Sequence, residues 1–188
     1  DQVRARVHFD DQVDERYAGT VMQRAVVCSD RYFLDLFSVS APKEHVLQWL
    51  FRVRGAFAQI TGTTGTGVEV GLPHVSVREE GGVRHSAVAL WRTGTGWLAM
   101  HFPAEAGGSL AICEAPYSPA SERTDLVVRS RIGRASKFLT VIEIGRPGER
   151  LSKVELEVPA AMLNISHNGS EQRWRLPNAA RDTGWQVV

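Results

Sequence analysis

Cysteine, lysine, tyrosine and helical periodicity are all scarce in this chain of 188 residues. Two cysteines, Cys28 and Cys113, are too few for a disulfide scaffold, and their spacing is not that of a metal-binding pair. Both are expected in strands, as small buried residues. Lysine occurs only at Lys43, Lys137 and Lys153, so arginine supplies nearly all of the 22 basic side chains. These stand against 21 acidic residues, a net charge of +1, which removes any whole-chain electrostatic case for nucleic acid or a membrane surface as partner. No apolar run approaches the length of a membrane span, and no secretory leader is recognisable. The chain starts at Asp1 rather than methionine and reads as a piece of a longer protein.

Catalytic signatures are missing as well. There is no Gly-x-Ser-x-Gly elbow, no His-Glu-x-x-His and no Cys-x-x-Cys, so the common nucleophilic, zinc-hydrolytic and dithiol sites lack their residue sets. The threonine and glycine stretch from Thr61 to Gly67 has no Gly-Lys-Ser/Thr ending and precedes no helix, so it reads as a mobile loop between strands and not as a phosphate cradle. His74, His85 and His101 fall in successive expected strands, but scattered strand histidines are more often surface or core residues, and no metal ligand and no cofactor are assigned. Tyr17, Tyr32 and Tyr117 have no cluster of His or Arg beside them in sequence and are read as packing residues.

What the chain does have is strand after strand. From Met22 to Val39 two runs of Val, Phe, Leu and Tyr flank Ser29-Asp30-Arg31, a turn composition, and so predict a hairpin of long strands. In the second run Tyr32, Leu34 and Leu36 share one face, and Phe33, Asp35, Phe37 and Val39 the other. Both faces are mostly apolar, which places this strand inside a layered structure. Asp35 among those apolar neighbours costs several kcal/mol unless paired, so an arginine or backbone amides should hold it as a structural acid. Further strands follow from His45, on either side of Glu80-Gly81-Gly82, in GWLAMHFP and SLAICEAP, in a hairpin about Gly133-Arg134, and in KVELEV, MLNISHN and EQRWRL. About a dozen strands over residues 1–188 predict a single all-β domain, an antiparallel β-sandwich of two packed sheets.

The order of these segments resembles the C-terminal β-sandwich region of heparinase II/III-like polysaccharide lyases. The shared pattern is a Tyr-x-x-Asp strand, a following strand with His near its start, and a late strand with Phe-x-Thr-Val-x-Glu. Here these are Tyr32, Asp35, His45, Phe138, Thr140, Val141 and Glu143. A second His that the family often carries after the first is replaced, with Phe51 ahead of Gly55. The resemblance implies an extracellular or periplasmic enzyme that cleaves uronate-containing polysaccharide by β-elimination, with a large helical domain as the catalytic partner of this region. No such helical region and no His-x-His pair is encoded here. Ser166-His167-Asn168 is similar to one family motif but lies at the wrong end of the chain.

Elimination next to a uronate carboxylate needs a group to neutralise the carboxylate, a base on the ring face and an acid at the leaving oxygen. With that set absent, the chain is expected to be inactive alone, with no catalytic residue assigned. Two functions remain: a non-catalytic sandwich supporting the catalytic domain and its cleft for acidic polysaccharide, or a free-standing carbohydrate-binding or interaction module. Trp91 and Trp97 flank the turn Arg92-Thr93-Gly94-Thr95-Gly96. With Arg52 and Arg92 they are the candidate sugar-binding residues, indole to stack on a pyranose and guanidinium to meet its carboxylate or sulfate.

Overall fold

The computed structural model describes residues 2–8, 17–67, 69–104, 106–117, 122–149, 151–157, 161–176 and 186–187. Among them there is no helix. Thirteen strands run in the order β1 (Gln2–His8), β2 (Val21–Cys28), β3 (Tyr32–Val53), β4 (Ala56–Thr61), β5 (Ser76–Gly82), β6 (Ala87–Thr93), β7 (Gly96–Phe102), β8 (Gly108–Pro116), β9 (Arg123–Gly145), β10 (Lys153–Glu157), β11 (Met162–His167), β12 (Ser170–Arg175) and β13 (Gln186–Val187). The protein is an all-β sandwich of antiparallel strands, in a nine-stranded and a four-stranded sheet.

Two long strands organise it. β3 and β9 pair along nearly their whole lengths, from Tyr32 opposite Glu143 to Val53 opposite Asp125. The register breaks once, where Ser40 faces Ala135 and His45 faces Gly133, so Ala41 to Glu44 are set against Arg134 alone. Pro42 has no amide hydrogen to give a ladder, and Gly133 offers no side chain to pack, so the irregularity falls where the sequence resists a straight strand. On one side of the break β3 borders β2 while β9 borders β7, followed by β6 and β4. On the other side β9 borders β8, which pairs with β5.

The two halves enclose the main core. Trp49 and Val53 of β3, Trp91 of β6, Met100 and Phe102 of β7, Leu110 and Ile112 of β8 and Phe138 of β9 all meet there. The opposite face of the first half is closed by the four-stranded sheet, where Leu34, Leu36 and Val141 pack on Leu163, Ile165 and Trp174. The first half of β3 is therefore apolar on both faces because it lies between two layers.

Several sequence expectations need correction. The hairpin about Gly133-Arg134 does not exist: β9 runs on through it, and the segment from His45 is the second half of β3. Glu80-Gly81-Gly82 does not separate two strands but forms the end of β5, which pairs with β8, while β6 pairs with β4 and β7. The stretch after Thr61 is tethered, because Thr64 and Gly82 exchange two backbone hydrogen bonds of 3.0 and 2.8 Å. A Cβ at Gly62 would lie 2.2 Å from the Ser86 carbonyl oxygen, so glycine is required at that crossing. Cys28 ends β2 exposed, Cys113 is buried, and they form no disulfide.

Candidate binding cleft and the polar network beside it

At the break in β3 and β9 the sandwich opens into a cleft of about 680 Å³. Its polar wall carries Gln23, Ser38, Ser40, Arg131 and Lys137, and Leu139, Leu156 and Pro103 supply apolar surface. Arg129 anchors the inner end. It is 2% exposed, its guanidinium lies 5.6 and 5.5 Å from the rings of Phe102 and Phe138, and it donates to the Leu139 carbonyl at 2.5 Å. Hydroxyls, an amide and cations around an apolar floor form a lining suited to a polar, negatively charged ligand, and the volume is that of a small-ligand site.

The motif residues of the sequence sit on facing strands. Tyr32 is opposite Glu143, Asp35 opposite Thr140 and Phe37 opposite Phe138, whereas His45 is exposed at the register break. Asp35 is 2% exposed and takes both Arg24 donors, Nε at 2.9 Å and an Nη at 2.6 Å, with Trp49 Nε1 at 3.3 Å. Thr140 Oγ1 is a buried polar atom with no hydrogen-bond partner.

Glu143 centres a second buried cluster. His101 Nε2 donates to one carboxylate oxygen at 3.0 Å, as does the Ser152 amide at 3.0 Å, and Ser152 Oγ donates to the other at 2.7 Å. Burial pushes the Glu143 carboxyl up, but the hydrogen bonds from His101 and Ser152 outweigh it and hold it below the usual range. His167 Nδ1 stands 2.9 Å from Ser152 Oγ and 3.3 Å from Glu143. Its Nε2 receives the Arg31 guanidinium at 2.6 Å and the Asn168 amide at 2.9 Å. Since those two groups can only donate, Nε2 is the acceptor and Nδ1 bears the hydrogen. Both ring nitrogens of His167 are thus engaged, as is Nε2 of His101. The cluster ties β7 and β9 to β11.

The tyrosine and tryptophan candidates separate. Tyr32 is buried, donates to Gln172 and accepts from Trp174 Nε1 at 3.0 Å; burial pushes its phenol up, partly offset by the Trp174 bond. Trp91 is 0% exposed and gives its Nε1 hydrogen to Asp125 at 2.8 Å, so it is a core residue and presents no face to a sugar. Trp97 is half-buried, donates to the Arg146 carbonyl at 3.0 Å, and covers Gly145, where a Cβ would meet its ring at 1.8 Å. Arg92 stands opposite Trp97 and is exposed. Arg52 lies apart from Trp97, on β3, where it donates to the Pro116 carbonyl at 2.6 Å. Its guanidinium and that of Arg54 flank the Tyr117 ring at 5.9 and 4.6 Å. The fold thus gives Tyr117 the arginine neighbours that its sequence surroundings lack. His74, His85 and His101 do not converge, and no metal-ligating group occurs among the described residues.

No family model and no curated protein matches the chain. Among solved structures it is similar to a heparan sulfate lyase HepC mutant from Pedobacter heparinus, with a TM-score of 0.52 and 12% sequence identity over 82% of this chain and 23% of that one. The likeness is one of fold. The chain spans less than a quarter of that lyase's length.

Sequence reasoning missed the cleft and the network about Glu143. Both depend on contacts that the local pattern does not show, Ser38 to Ser40 of β3 meeting Arg131 to Lys137 of β9 at the bend, and Glu143 meeting His167 across two sheets. The one available signal was Glu143 itself, an acid within the apolar run Leu139 to Ile144.

Proposed function

We propose that this chain is the β-sandwich portion of a polysaccharide lyase, one that supports a separate catalytic domain and lends its cleft to an acidic polysaccharide while carrying out no reaction alone. The observation that carries this reading is the fold shared with a heparan sulfate lyase. The cleft adds to it, since Arg131 and Lys137 among serine hydroxyls suit carboxylate or sulfate groups on a sugar ring. A whole enzyme of that kind would work outside the cytoplasm, where its polymer is found.

Three side chains of the types that could perform elimination are engaged elsewhere. Tyr32 is packed against Trp174, His101 Nε2 is bonded to Glu143, and His167 is bonded to Ser152 and Arg31. Tyr117 is the tyrosine with cations close by, so it is the residue to test. The chain, incubated with heparan sulfate, should yield no unsaturated product by ultraviolet absorbance. Turnover that is lost in Tyr117→Phe would overturn the non-catalytic assignment.

A further inference from the structure

The surface about Tyr117 differs from the other arginine clusters in how its charge is compensated. Arg78 is paired with Glu114 and with Asp125 at 2.9 Å, and Arg123 with Glu114 at 3.0 Å. Arg52 and Arg54, a few residues away in space, make no ion pair among the described residues. Both instead place a guanidinium against the same ring. Two like charges held on one aromatic platform repel each other, and the arrangement gains when an anion sits between them. A hollow of about 530 Å³ adjoins the platform, lined by Arg54, Tyr117, Arg78 and Arg123, with Glu122 and Asp125 as its acids. Asp125 is already taken by Arg78 and Trp91.

We infer that Arg52, Arg54 and Tyr117 form a second anion-binding site, one that holds a sulfate or carboxylate of an acidic polysaccharide away from the cleft. The choice of ligand rests on the proposed function; the site itself rests on the two uncompensated guanidiniums and the ring. A flat guanidinium takes two oxygens of such a group side by side, and the exposed part of the ring can meet the apolar face of the attached sugar. The site is separate from the cleft in space. Arg52 is twelve residues along β3 from Ser40 in the cleft and three from Trp49, which faces Arg129 at the cleft's inner end, roughly 10 Å at about 3.3 Å per residue. It also stands opposite Leu126, whose side chain packs with Val70 and Cys113 on the outer face of the sheet and away from the main core.

The test is amide chemical-shift mapping with a short heparan sulfate oligosaccharide at low salt. Two separate sets of shifts are expected, one about Ser40 and Lys137, the other about Arg52, Arg54 and Tyr117. Arg52→Ala with Arg54→Ala should abolish the second set and leave the first, and the exposure of both side chains lets the fold persist. Shifts confined to the cleft would overturn this inference and leave the proposed function standing. Shifts confined to Tyr117 and its arginines would support the site and count against the cleft. Equal shifts at Tyr117 with a single-stranded oligonucleotide would overturn the choice of a sugar polymer.

Discussion

Asp35 offers the sharpest stability test, because its burial and that of its partner are so unequal. The carboxylate is 2% exposed while the Arg24 side chain is 44% exposed. Asp35→Ala strands the Trp49 indole N–H, a buried donor worth about 1–3 kcal/mol when left unmade. Arg24 can turn toward water, so the lost ion pair adds only about 0–1 kcal/mol, as for an exposed bridge. The sum is a loss of roughly 1–4 kcal/mol, and its midpoint of about 2.5 kcal/mol, at about 2–4 °C per kcal/mol for a chain of this size, lowers the melting temperature by about 5–10 °C. Arg24→Met should cost more, about 3–5 kcal/mol, because it leaves a buried carboxylate without its cation. Asp35→Asn should cost least, keeping an acceptor for Trp49. Thermal and denaturant unfolding of the three variants measures the order. An unchanged melting temperature for Asp35→Ala, or Arg24→Met milder than Asp35→Ala, would refute the reasoning.

Three other outcomes follow from single groups. Thr140→Val removes the orphaned buried hydroxyl at constant shape and should raise stability by about 1 kcal/mol in denaturant unfolding, with a loss of stability as the contrary result. Glu143, held below its usual range in the fold, contributes stability that is complete above its unfolded value of about 4.3 and is lost as pH falls through the lower folded value, so Glu143→Gln should flatten stability against pH in that acid window; parallel acid profiles would contradict this. Burial pushes the Cys113 thiol up to about 11, so a thiol reagent at neutral pH should label Cys28 promptly and Cys113 only after unfolding; equal labelling of both in the native protein would be inconsistent with the buried β8 strand.

The layers were legible because alternation was strong. Tyr32, Leu34 and Leu36 against Phe33, Asp35 and Phe37 gave both faces of the first half of β3. Connectivity was not legible. A Gly-Arg pair at Gly133 reads locally as a turn, yet the unbroken partner strand β3 holds β9 extended through it, a tertiary effect that local composition does not register. Trp91 beside a Thr-Gly turn looked exposed for the same local reason, while its actual place follows from Asp125, 34 residues later, accepting its N–H. The cleft required knowing that residues 38–40 and 129–139 meet at one bend.

The measurement that bears most directly on the whole account is a calorimetric titration of the wild-type chain and of Lys137→Ala with a heparan sulfate oligosaccharide and with a neutral one of equal length, at low and moderate salt. The account predicts weak binding of the acidic sugar alone, declining as salt rises because exposed charges are screened over about 10 Å at 0.1 M ionic strength, and weakened in Lys137→Ala. Equal binding of the neutral oligosaccharide, or acidic binding indifferent to both salt and Lys137, would contradict it.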